Sequence, residues 1–237
     1  MKTFLKAKWE NLIMVNYEID DCHLLPYLPN GVELDYYKGK SLISLVGFLF
    51  KDTRLFKFPM PFFGTFEEVN LPFYVKRKCG NEFKRGVVFI NETVPNKTVA
   101  LVANKLYKEH YTAIPTKHYW KIAENKKEIE YQWLVNGQWN TMRVLADKNS
   151  KKMEIGSEEE FIFEHYFGFT KVKSDSSIEY KINHPRWLIN EIKNYTVNCN
   201  FKDFYGKAFE ILDLTKPHSV MLAEGSAISV DWKRTKF

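Results

Sequence analysis

Cysteine is scarce in this chain of 237 residues and shows no pairing pattern: Cys22, Cys79 and Cys199 are far apart, odd in number and form no C-x-x-C. That argues against a disulfide framework and a zinc knuckle, and a reducing cytoplasm is the expected setting. Long apolar runs are also missing. The longest, Leu42 to Phe50, is a strand's length and far too short to cross a bilayer as a helix, so no membrane partner is expected. Lys6, Lys8 and Glu10 interrupt the N-terminal apolar residues, which leaves no uninterrupted signal-peptide core. No G-x-G-x-x-G, Walker loop, G-x-S-x-G elbow or H-E-x-x-H occurs, which makes the motif-bearing dinucleotide, phosphate, hydrolase and metalloprotease classes poor fits. The six histidines form no i, i+4 pair, so no metal site and no cofactor is expected.

Charge of one sign is not in large excess either. Lys and Arg number 35 against 29 Asp and Glu, a net +6. The basic clusters are short, as in Lys76-Arg77-Lys78, and Glu158-Glu159-Glu160 interrupts them. A nucleic-acid surface needs a continuous cationic stripe, so nucleic acid is not an expected partner.

Apolar and aromatic material is abundant, at 45% and 16% of the residues. Most segments read as strands, rich in β-branched and aromatic residues and ended by turn residues. They are Leu12 to Ile19, Leu42 to Phe50, Val69 to Lys78 and Gly86 to Val94. A hairpin spans Tyr131 to Leu145, where Asn136-Gly137 supplies the positive φ angles of a type I′ turn. A second, closing hairpin is expected from Ser219 to Trp232, turned at Glu224-Gly225. Helices are few. Asp20 is a candidate cap for Asp21 to Leu28, and Asn96 or Thr98 for Thr98 to Tyr107. Ser157-Glu158-Glu159-Glu160 has the spacing of a capping box opening a helix to about Phe167, and Phe201 to Tyr205 is a weaker candidate. The expectation is one domain over residues 1–237 of the α+β class, mainly β: a closed or half-closed antiparallel sheet with a few helices outside it.

Candidate chemistry then rests on polar groups within apolar strands. Glu67 and Glu68 point to opposite faces because side chains alternate, so at most one looks inward. A carboxyl facing an aromatic interior has a raised pKa and suits acid/base work near neutrality. His110 and Tyr111, just beyond the helix ending at Tyr107, are further candidates. Lys105 and Lys108 sit where the helix dipole alone explains them. Glu164-His165-Tyr166 and His184-Pro185-Arg186-Trp187 complete the set.

The ordered series NLIMVNYEIDDCHLLPYLPNGVELDYYKGKSLISLVGFLF, FGTFEEVNLPFYV, VALVANKLYKEHYTA, EHYFGFT and INHPRW resembles the uncharacterised YqjF-like proteins of the acetoacetate decarboxylase superfamily, over nearly the whole chain. The resemblance implies a curved antiparallel β-barrel around a small-molecule cavity. The decarboxylase branch uses a Schiff-base lysine in a Tyr-Pro-Lys stretch, but here His110 and Tyr111 stand where proline and lysine would be. Its Gly-x-aromatic-x-Glu pattern looks like Gly64 to Glu68, which makes Glu68 the inward acid. The YqjF-like Glu-x-Asn-x-Arg-x-Tyr looks like Glu68, Asn70 and Tyr74, with Pro72 in place of arginine, and Pro72 suggests an edge or a bulge. Glu164, Tyr166 and His184 resemble the later motifs. The residues and the resemblance together give Glu68, His110 and Tyr111 as catalytic candidates, with Asn70, Tyr74, Glu164, Tyr166 and His184 expected to contact a ligand. Two readings stay open: acid/base chemistry on a small carbonyl compound or organic acid without an imine, or ligand binding without catalysis. Because the decarboxylase branch assembles into oligomers, a homo-oligomer is open as well.

Overall fold

The structure, a computed structural model, describes residues 3–60, 64–173 and 176–237, apart from the side chain of Tyr107. Phe63, the first residue of FGTFEEVNLPFYV, lies outside the described residues. The strands are β1 (Thr3–Glu18), β2 (Glu33–Leu34), β3 (Leu42–Leu55), β4 (Phe58–Pro59), β5 (Phe66–Cys79), β6 (Glu82–Val94), β7 (Tyr111–Ala113), β8 (Thr116–Ile122), β9 (Lys126–Val135), β10 (Gln138–Lys152), β11 (Phe167–Lys173), β12 (Ser176–Asn183), β13 (Leu188–Asn198), β14 (Ser219–Asp231) and β15 (Thr235–Lys236). The α-helices are α1 (Asp21–Leu24), α2 (Lys97–Tyr107), α3 (Glu158–Phe163) and α4 (Phe201–Tyr205).

All described strands belong to one sheet, which curls on itself. The path β12-β11-β6-β5-β3-β1-β14 closes where Ile182 and Asn183 of β12 pair with Val230 and Ser229 of β14. From β14 the sheet continues outward through β13, β10, β9 and β8. The result is a ring with a folded-back flap rather than a regular barrel. Most pairings are antiparallel, but β6 pairs in parallel with both β11 and β7.

Period-two alternation sorts the strand residues into two apolar bodies. On β5, Phe66, Glu68, Asn70, Pro72 and Tyr74 face the inside of the ring. Val69, Leu71, Phe73 and Val75 face the other way and join Ile129, Tyr131 and Trp133 of β9 in a second core between ring and flap. Trp133 and Tyr131 are fully buried there.

Local expectations mostly appear, with extended ends. Asn136 (φ 48°) and Gly137 (φ 78°) form the turn between β9 and β10. Asn96 Oδ1 accepts from Thr98 N and Val99 N at the start of α2, at 2.8 and 3.2 Å. Ser157 Oγ accepts from Glu160 N at 3.2 Å, and Glu160 returns a bond to Gly156 N at 2.7 Å, one residue earlier than in a standard capping box. That helix ends at Phe163, because Phe167 starts β11 and pairs with Gly86. Asp20 makes no side-chain cap bond, and α1 gives way at Leu25 to a short 3-10 turn. The expected hairpin at Glu224-Gly225 is instead one continuous strand, β14, paired along β1. Gly225 (φ 80°) opposes Glu10, next to Asn11 (φ 50°), so its positive φ makes a kink within the ladder and not a reversal.

Candidate functional site

Inside the ring lies a cavity of about 310 Å³. Its wall is largely aromatic: Phe50 stacks on Phe66 at 4.8 Å, Trp9 packs against Phe48 at 4.8 Å, and Trp187 reaches Trp9 at 6.0 Å. Helix α2 covers one side with Val99, Val102 and Ala103. A polar spot interrupts this apolar wall.

Register builds the spot. Asn70 of β5 lies opposite Glu92 of β6, and Glu92 lies opposite Tyr111 of β7, so the three stand abreast across adjacent strands. Glu68 is two residues before Asn70 on the same face, and its Oε1 accepts from Asn70 Nδ2 at 2.8 Å. The inward turn of Glu92 depends on a bulge. The pairing shifts between Asn70 and Pro72, inserting one extra β6 residue. Val87 and Phe89 already face the cavity, so strict alternation would have turned Asn91 inward and Glu92 away. Pro72 sits at this irregularity, within the central strand β5 and not at an edge.

Glu109 joins from beyond the end of α2. Lys108 takes a left-handed conformation (φ 59°) and its N–H donates to Asn104 O, after which Glu109 is buried and His110 is exposed. The Asn104 side chain then clamps Tyr111, accepting from its N–H at 2.7 Å and donating to its carbonyl at 3.0 Å. The Tyr180 hydroxyl of β12 donates to Glu109 Oε1. Tyr180 has room because residue 168, its cross-strand partner, is glycine; a methyl group there would overlap the tyrosine ring.

The electrostatics follow from the burial of three acids together. Burial, reinforced by the Glu109 charge and opposed by the Asn70 bond, pushes the Glu68 carboxyl up to about 8. Burial raises Glu109 to about 7, against the bonds it accepts from Tyr180 and Glu92. Glu92 rises well above the usual carboxylate range, first through burial and then through its two acidic neighbours. Burial also raises Tyr111 well above its ordinary value, with Glu68 the leading charge effect. At neutral pH the cluster therefore holds protons that ordinary glutamates have lost. Asn70 Oδ1 and Glu92 Oε2 are both buried without a hydrogen-bond partner among the described residues.

The other sequence candidates divide. Tyr74 lines the cavity, and its hydroxyl bonds Ser44 Oγ at 2.5 Å. His184 also lines it, stacked on Trp187 at 4.1 Å, and burial lowers its pKa. Tyr166 packs against His184 at 4.6 Å and donates to Glu164 Oε2 at 2.8 Å, but neither Tyr166 nor Glu164 is on the cavity wall. His110 is not on it either. Glu67 does face away from the ring, yet not into solvent: β8 covers it, and it accepts from Thr116 Oγ1 at 2.7 Å and pairs with His118 Nδ1 at 2.5 Å. Lys105 and Lys108 are exposed, and no Lys or Arg is among the described residues lining the cavity. Sequence reasoning left Glu92, Glu109 and Tyr180 unassigned, although VALVANKLYKEHYTA contains Glu109. The described residues contain no cluster of His, Cys, Asp or Glu suited to holding a metal ion. Among them, no helix is long and apolar enough to cross a membrane.

The family model for DUF2071, described as an uncharacterized conserved protein, matches residues 6–227. A search of curated proteins returned no match. Among solved structures, acetoacetate decarboxylase from Legionella pneumophila subsp. pneumophila str. Philadelphia 1 is similar at TM-score 0.64 and 10% identity, over 96% of this chain and 85% of that one. An acetoacetate decarboxylase-like enzyme from Sphingomonas wittichii RW1 is similar at 0.66 and 11%, over 100% and 94%. The enduracididine biosynthesis enzyme MppR, complexed with pyruvate, is similar at 0.66 and 10%, over 100% and 91%.

Proposed function

From the premise that this chain belongs to the DUF2071 family and has an acetoacetate decarboxylase-like fold, we propose that it binds a small carbonyl compound in the ring and moves protons next to the carbonyl through buried carboxyls. The observation that carries this reading is the convergence of Glu68, Glu92 and Glu109 inside one apolar cavity, where burial raises all three carboxyls. Environments that push two neighbouring acids to values around neutrality leave one protonated and one available as a base. In the proposed step, the carboxylate takes a proton from the carbon beside the carbonyl while the protonated carboxyl gives its proton to the carbonyl oxygen. The product is the enol, and reversal at another carbon gives an isomer. Tyr111, held by Asn104, adds a hydroxyl beside the same oxygen site. Exposed His110 is left out of this mechanism. An imine route needs an amine of lowered pKa on the wall, and no described lining residue supplies one.

Binding without catalysis is favoured by a different observation: the Glu68 carboxyl is already engaged by Asn70 Nδ2 at 2.8 Å. Deuterium exchange followed by NMR separates the two. With a panel of small neutral ketones in D₂O, the proposal expects exchange next to the carbonyl, reduced at least ~100-fold in Glu68→Gln or Glu109→Gln. Ligand-induced shifts without any exchange would establish the binding protein instead. Borohydride with keto acids is expected to leave no covalent adduct, and a mass adduct would overturn the imine-free mechanism.

A further inference from the structure

The polar spot in the ring has more acceptors than donors. It presents the carboxyls of Glu68, Glu92 and Glu109 and the amide oxygen of Asn70, while Asn70 Nδ2 is committed to Glu68, the Tyr180 hydroxyl to Glu109 and the Tyr111 hydroxyl to Glu92. Asn70 and Glu92 are 3% and 2% exposed, both line the cavity, and each keeps one oxygen, Oδ1 and Oε2, without a partner. A buried acceptor left unmade is costly, so two of them aimed into the same space are a signature of a missing donor. They are cross-strand neighbours, a relation that places side chains about 5 Å apart, within reach of one small group.

The described lining residues supply no counter-charge. Arg85 and Arg186 are already paired, with Asp35 at 2.6 Å and Glu160 at 2.7 Å, and neither lines the cavity. His165 and His184 do line it, but burial lowers both pKa values and keeps the imidazoles neutral. His165 Nε2 is engaged with Asp35 at 3.2 Å, and His184 Nδ1 with the Pro185 carbonyl at 3.0 Å. Away from the acids, the cavity offers apolar and aromatic surface.

We propose that the acidic end of the cavity is a recognition site for a protonated primary amine carried on an apolar, ring-sized body, with the ammonium bridging Asn70 Oδ1 and Glu92 Oε2. This rests on the reading that the cavity takes a small molecule, and it names the charge of that molecule. An ammonium has three donors and no acceptor, the inverse of what the wall presents. Aromatic faces favour a desolvated cation as well as its apolar body. A carboxylate ligand would meet three acids and no cation, so the site selects the charge opposite to pyruvate, the molecule bound by the similar enzyme MppR. Because the empty cluster holds protons at neutral pH, amine binding favours the ionised acids and releases a proton to solvent.

The test is isothermal titration of the full chain at neutral pH with 2-phenylethylamine, 2-phenylethanol and 3-phenylpropanoate, in two buffers of different protonation enthalpy. The expected result is amine binding at least ~10-fold tighter than either other probe, with release of about one proton. Glu92→Gln and Asn70→Ala are each expected to weaken the amine about tenfold, and by more than they weaken the alcohol. The proton count needs no variant, so a misfolded mutant leaves the test intact. Equal or tighter binding of the carboxylate, amine binding without proton release, or no amine binding each overturns the inference. The ketone exchange assay is scored separately: exchange with neutral ketones and no amine binding removes only the charge assignment, whereas amine binding without exchange removes only the catalytic reading.

Discussion

Glu67 and Glu68 are adjacent in sequence and occupy two different physical worlds. Glu68 faces the ring cavity, meets two other acids and an amide, and is pushed up to about 8. Glu67 faces the flap, meets His118 and Thr116, and is held below the ordinary value by those bonds, which outweigh its partial burial. The same side chain therefore takes opposite shifts one residue apart. Burial penalises both, but it is partial at Glu67 and complete at Glu68, and extent of burial and partners together decide the sign. The two faces of β5 also differ in packing, because the flap side is a solid layer around Trp133 and the ring side encloses space.

The contrast in packing predicts the largest effect. Trp133→Ala, in the solid layer, is expected to cost about 4 kcal/mol of unfolding free energy, because the surrounding sheets cannot collapse into the gap. Phe66→Ala, on the cavity wall, is expected to cost about 2 kcal/mol, since part of its surface already borders empty space. Urea titration of both variants checks the order, and equal costs would show that the ring interior is packed like the flap layer.

The contrast in charge predicts opposite pH dependences. The Glu68 folded pKa lies above the ordinary 4.5, so the folded state retains a proton that the unfolded chain releases. Its effect on stability is absent below 4.5, and destabilisation grows as pH rises through the window to about 8. Glu68→Gln is expected to flatten that decline, as read from thermal or urea melts across the window. For Glu67 the folded pKa is depressed, so its contribution is present above 4.5 and is lost as pH falls through the folded value.

Gly168→Ala probes how the acid cluster is assembled. The added methyl overlaps the Tyr180 ring and pushes its hydroxyl away from Glu109, at a cost of about 2 kcal/mol by urea titration. Freed of that donor, Glu109 should titrate higher, which carboxyl NMR would detect. The smallest effect is expected from Glu67→Gln, about 1 kcal/mol near neutrality, vanishing in acid. A Glu67→Gln effect larger than that of Glu68→Gln at every pH would invert the assignment of the two faces.

The inward run Glu68, Asn70 and Tyr74 was legible through the family resemblance, which chose Glu68 over Glu67, and the strand period of two keeps the three on one face. Glu92 was not, because a bulge breaks its alternation with Phe89, and one inserted residue reverses every later side chain. Glu109 was hidden for a different reason. A left-handed residue at Lys108 decides whether Glu109 or His110 turns inward, and lysine carries no propensity for that conformation comparable to glycine's. Tyr180 enters from a strand more than 70 residues away in sequence from Glu109, a juxtaposition that no local pattern encodes. The closing hairpin was misread because glycine after an acid marks a turn, and here it marks a kink in a long ladder.

The sequence by itself determined that this chain is strand-rich, that helices are capped at Asn96 or Thr98 and at Ser157, and that position 68 shares a strand face with Asn70 and Tyr74. Those are consequences of short-range periodicity and capping, which depend on neighbours a few residues apart. Only the tertiary structure decided that the sheet closes through β12 and β14, that three acids share one hollow, and that Glu67 is partly buried against β8. The reason is that desolvation and charge coupling depend on distances in space, and ring closure sets those distances between residues far apart along the chain.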